Sequence, residues 1–177
     1  MPGSRFPLGS FGLKLVAGSV KGKVRRVKDK DREIAEAVGT LLDSQRVGVL
    51  GTHGSGSPYC SLVGFSFEPG LERLYFATTR ATRKYANLSE TGRVALLVDN
   101  RTNREEDLHE ASALTAVGPV REMTGQERER AASVHLARHP SLREFVESPT
   151  TALLALEVER YFLVRRFQEV MVLEIAP

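Results

Sequence analysis

A single cysteine, Cys60, stands in a chain of 177 residues. One thiol excludes an intramolecular disulfide and fits a reducing compartment, so a cytoplasmic location is expected. Long apolar runs are missing too. The stretch FGLKLVAGSV near the start is broken by Lys14 and two glycines, so no membrane span and a soluble protein are expected. Aromatic residues make up only 7%, and no stripe of them runs through the basic residues as base stacking would need. Acids are almost absent from residues 1–30, where eight Lys and Arg face Asp29 alone; residues 31–177 carry 17 basic and 21 acidic side chains. The net charge of +3 therefore belongs to the N-terminal segment, and the body has the wrong sign for a nucleic-acid surface. Residues 1–28 read as a basic flexible extension, with nucleic acid not expected as a partner, and residues 29–177 as one domain. At 41% apolar composition that domain can bury a proper core.

What is present is ordered alternation. From Asp31 to Gln45, Ile34, Val38, Leu41 and Leu42 fall at helical spacing, with Asp29 or Asp31 available as a cap. The pattern then switches to strands: RVGVLGTHG, a Gly/Ser turn at 54–57, PYCSLVGFSFE, a Pro69-Gly70 turn, and ERLYFATT. A helix over 82–91 closes at Gly92, and RVALLVD follows as a strand apolar on both faces, which implies a closed or covered sheet. After a polar loop at 100–110, SALTAVGPVREM is a fifth strand with Pro119 at an edge or bulge. Thr124 with Glu127 makes a capping box for a helix through Arg138, and Ser141 with Glu144 can cap a shorter one ending before Pro149. In the last stretch Leu154, Leu156 and Val158 alternate with Ala155, Glu157 and Glu159 before a final strand at 169–175. The fold class is therefore mainly β (α+β): a six- to seven-stranded antiparallel barrel with flanking helices.

The most informative segment is TTRATRKYANL at 78–88, where Arg80, Arg83 and Lys84 crowd the start of a helix with no acid before Glu90. Exposed N–H groups and the helix dipole already make that end positive, so each cation is disfavoured by about 0.3–1 kcal/mol unless an anion sits against it. Strand, polar turn and helix N-terminus, with Thr82 as cap or ligand, make a cofactor phosphate site. In SLVGFSF, Val63, Phe65 and Phe67 share one strand face while Leu62, Gly64 and Ser66 share the other; a planar ring could rest over Gly64 and Ser66, or the glycine could mark a plain bulge. His135 and His139 could share a helix face, but a third ligand is missing and Leu136 stands where a hydrolytic zinc helix carries Glu, so no metal site is assigned.

Taken in order, LYFATT, TRKYANL, RVALLVD and ALTAVGPVRE resemble the pyridoxamine 5′-phosphate oxidase-like, flavin-binding split-barrel family over residues 31–175. The resemblance implies a split barrel binding FMN, with Thr82, Arg83 and Lys84 on the phosphate and Thr78 and Thr79 along the ribityl chain or ring edge. Ser61, Leu62, Val63, Gly64 and Ser66 would supply the strand against which the ring lies. It also implies a homodimer with flavin at the subunit interface, and hydride or electron transfer to or from a small-molecule substrate. No catalytic side chain is assigned. Three positions depart from the oxidases proper: Ser61 falls where the family often has a phosphate-binding Arg, Ser66 or a neighbour where they carry Lys, and Ala113 where they often carry Gln. The end VMVLEIAP also lacks their Arg-rich substrate-binding tail, which argues against pyridoxal-phosphate synthesis. The alternatives are a non-catalytic flavin- or haem-binding module and a deazaflavin-dependent reductase.

Overall fold

A computed structural model describes residues 20–166 and 169–175, with side chains from residue 29 onward. The chain order is helix α1 (Val20–Ser44), strands β1 (Val47–Gly54), β2 (Ser57–Phe67) and β3 (Arg73–Thr79), helix α2 (Arg83–Thr91) and strand β4 (Arg93–Asp99). A short helix α3 (Asp107–Glu110), strand β5 (Ala113–Glu122) and helices α4 (Gly125–Arg138) and α5 (Arg143–Glu147) lead to strands β6 (Thr151–Glu157), β7 (Arg160–Arg165) and β8 (Glu169–Glu174).

The stripe Ile34, Val38, Leu41 and Leu42 is buried, as its spacing requires. The helix itself begins at Val20, so Asp29 and Asp31 are interior residues and not its cap. The reason is local: KGKVRRVKDK is made largely of straight-chain Lys and Arg, which lose little rotamer freedom in a helix, and holds no proline. Residues 1–19 of the expected extension lie outside the described residues.

Six strands close a barrel in the order β1-β2-β3-β6-β5-β4, all antiparallel, and β7 and β8 continue outward from β5. Two strands change partner partway. β2 pairs with β1 from Ser57 to Gly64 and with β3 from Phe65 to Phe67. β5 pairs with β7 over Ala113–Val117 and with β6 over Val120–Glu122. Between those two pairings lie Gly118 and Pro119, the residue without an N–H. A Cβ on Gly118 would stand 1.9 Å from the Glu157 carbonyl oxygen, so the seam closes only on a glycine.

Phe65, Leu50, Leu74, Phe76, Leu96, Leu114 and Leu156 fill the barrel. The strand covered on both faces is β6, not β4: Leu154 and Leu156 point to the barrel core, and Leu153 and Ala155 join Tyr75, Met123 and Ala131 beneath α4. In β4, Ala95 and Leu97 are only half-buried. The sequence does not separate strand β7 from β6 because the break at Val158–Glu159 uses no turn residue. It is made by long-range bonds, Val158 N–H to Glu72 O at 2.8 Å and Glu159 N–H to Val117 O at 3.0 Å.

Candidate functional site

The strand-turn-helix read from TTRATRKYANL forms at β3 and α2. Thr82 has extended backbone and its hydroxyl accepts from Tyr85 N–H, while Gly92 closes the helix at φ 64° with its N–H on Leu88 O. Both signals are local, which is why the sequence carries them. Ala86 N–H takes the Thr82 carbonyl. With Tyr85 and Ala86 satisfied, the N–H groups of Arg83 and Lys84 are the ones left for an anion. The helix is pinned by its buried face, where Leu88 enters the core and Asn87 donates to Thr52 Oγ1 at 3.0 Å.

The three cations do not act alike. Arg80 is ion-paired with Glu122 and donates to Pro149 O at 2.9 Å, so it is not available to the site. Glu122 lies 42 residues away in sequence, too far for spacing to reveal the pair. The Arg83 guanidinium lies 4.9 Å from the centre of the Tyr59 ring. Lys84 has no ion pair among the described residues, and it is one of the residues lining a cavity of about 350 Å³.

That cavity gathers most of the expected site. Thr78, Thr79 and Thr82 line it with Lys84 on one side and Leu62, Val63 and Gly64 on the other. Phe65 N–H bonds Arg46 O at 3.3 Å, so in the alternating ladder the odd residues of β2 face β1 and the even ones turn their N–H and C=O groups away from it; on that side the ladder with β3 begins at Phe65, which leaves the backbone of Leu62 on an unpaired edge. The Leu62 side chain is 71% exposed. Ser61, Ser66 and Arg83 are not among the lining residues; the Ser61 hydroxyl is buried with no partner among the described residues. The polar loop at 100–110 does not reach the cavity either. It is held together by the Asp107 carboxylate, which accepts from Thr102 N–H at 2.7 Å and Arg104 N–H at 3.1 Å.

The roof comes from His135, Leu142 and Phe145. Sequence spacing put His135 and His139 on one helix face, but the face packs on β2 and forms no group of three ligating side chains among the described residues. His139 Nε2 donates to Phe65 O at 2.7 Å, and its ring sits 3.5 Å from where a Cβ on Gly64 would be. The His139 imidazole thus packs against Gly64. His135 is fully buried, its Nδ1 lies 3.1 Å from Ser66 Oγ, and its Nε2 has no partner among the described residues. Burial, with the His139 ring beside it, pushes its pKa down to about 4, so it is neutral at neutral pH. Thr124 makes no side-chain cap bond, Glu127 pairs with Arg121 at 2.6 Å and does not complete a capping box, and the helix after Leu142 starts without Ser141 as its cap.

A larger groove of about 830 Å³ lies between α1 and α4, with Ser66 and Phe67 of β2 in its lining. Arg138 fastens α4 there by donating to the carbonyls of Leu42, Asp43 and Gln45 at 2.5–3.0 Å.

A family model described as pyridoxamine 5′-phosphate oxidase matches residues 34–165. No curated protein matches the chain. Solved structures do. A haem-binding protein from Mycobacterium smegmatis superposes with a TM-score of 0.72 at 20% identity over 79% of this chain and 57% of that one. The chain thus spans little more than half of that protein's length. General Stress Protein 26 from Bacillus anthracis gives 0.62 at 19% identity over 80% and 98% of the two chains. An FAD-binding protein from Mesorhizobium loti gives 0.60 at 16% identity over 73% and 90%. At these identities the likeness is one of fold.

Proposed function

The chain belongs to the pyridoxamine 5′-phosphate oxidase family, and from that premise we propose that it is an FMN-binding oxidoreductase acting on a small molecule. The observation that carries this is the cavity joining an unpaired Lys84 and the open N-terminus of α2 to the unpaired edge of β2. Its residues fit the cofactor. Lys84 and the N–H groups of Arg83 and Lys84 would hold the phosphate, with the Arg83 side chain completing the positive field. Thr78 and Thr79 would contact the ribityl chain or ring edge. The backbone at Leu62 would bond the ring's polar atoms, and Leu142 and Phe145 would exclude water from it. Bound there, FMN would supply hydride or electron transfer, so the protein need contribute few reacting side chains.

The exposed Leu62 and Val47 and the open strand edge support a homodimer in which a second subunit covers the flavin. Cys60, unpaired and exposed, suits a cytoplasmic setting. A haem-binding module is the second reading, favoured by the likeness to the haem-binding protein of Mycobacterium smegmatis. Reconstitution separates them. The purified chain should retain FMN through gel filtration as a dimer, with flavin absorbance bleached by NADH or NADPH. A haem Soret band with no flavin retained would refute the proposal.

A further inference from the structure

We propose that His135 is a ligand-binding residue whose Nε2–H donates a hydrogen bond to an acceptor atom on the ring of the bound cofactor; the inference rests on the FMN reading of the same cavity. Ser66 Oγ has the imidazole as its one partner among the described residues, at 3.1 Å to Nδ1. If Nδ1 carried the proton, the buried hydroxyl hydrogen would have no acceptor. The arrangement that satisfies the hydroxyl has Ser66 donating to Nδ1, which fixes the proton on Nε2.

That N–H is then a buried donor with no acceptor among the described residues, on a residue that lines the cavity. Leaving such a group unpaired is costly, so a ligand acceptor is its natural partner. His139 shows what the same helix does when no ligand is involved: one turn on, its Nε2 is spent on Phe65 O at 2.7 Å. The low basicity of His135 keeps it a neutral donor. A neutral donor suits a ring carbonyl oxygen or imine nitrogen, whereas Lys84 in the same cavity suits the phosphate.

The test is the double variant His135→Phe with Ser66→Ala, which removes donor and hydroxyl together and leaves no orphaned polar atom. Circular dichroism and thermal melting establish that it folds, and fluorescence titration gives Kd for FMN and for riboflavin. Both ligands should bind about 5- to 20-fold more weakly, the loss of one neutral hydrogen bond plus its desolvation. The visible band of the bound flavin should also shift, and His135→Gln, which keeps an N–H near the Nε2 position, should restore part of the affinity. Unchanged Kd and an unchanged spectrum would overturn the role of His135 while leaving the FMN reading intact. Failure of the unaltered chain to hold either flavin would overturn both. Should the double variant not fold, ¹⁵N NMR of the unaltered protein decides: the His135 Nε2 resonance must move when FMN binds, and a static resonance overturns the proposal.

Discussion

Replacing Lys84 with Ala should move two quantities in opposite directions. In the free protein Lys84 stands in the first turn of α2, the helix's positive end, lines the cavity and has no ion pair among the described residues. Removing it should stabilise the free fold by about 0.3–1 kcal/mol. Against a phosphate the same group makes a charge-assisted hydrogen bond of about 1.5–3 kcal/mol, so FMN should bind about 10- to 150-fold more weakly. Riboflavin, which has no phosphate, should bind as before. Parallel fluorescence titrations of the two flavins measure the difference, and added salt should weaken FMN binding to the unaltered protein more than to the variant. Arg83→Ala should cost less than Lys84→Ala, since its guanidinium is already stacked on Tyr59 at 4.9 Å. Equal losses for FMN and riboflavin, or no loss at all, would refute the phosphate assignment.

Two further outcomes concern the scaffold. Gly118→Ala places a methyl group 1.9 Å from the Glu157 carbonyl at the barrel seam, so it should destabilise the fold by at least about 3 kcal/mol; thermal melting checks this, and a near-native melt would show that the seam is pliable. For His135 the folded-state pKa is about 4 against an ordinary 6.5, so the proton binds the unfolded chain better. Its contribution is full above pH 6.5 and falls as pH drops toward 4, a total of about 3 kcal/mol. Urea midpoints across that window should decline in the unaltered protein and flatten in His135→Phe.

The parts of the site that depend on neighbours in sequence were legible. Thr82 and Gly92 bracket α2 as written, and the alternation in SLVGFSF separates Val63 and Phe65, in the core, from Leu62, Gly64 and Ser66. The parts that depend on tertiary contact were not. Arg80 counts as a free cation until Glu122 is brought beside it by the β5–β6 pairing, and the spacing of His135 and His139 says that they share a face but not that the face meets β2. Val158–Glu159 reads as strand because its break is made by remote carbonyls. The Lys- and Arg-rich start of α1 was read as an extension on charge balance alone, although its residues have good helix propensity.

The roof of the cavity and one wall of the larger groove come from a single excursion between β5 and β6, residues 125–147. No ladder that closes the barrel passes through it. Barrel and cavity roof are thus encoded in separate stretches of polypeptide, so this insert is the natural place for grafting a different roof. Such a chimera should keep Ala131, which seats the insert on the sheet, and Arg138, which ties it to the end of α1.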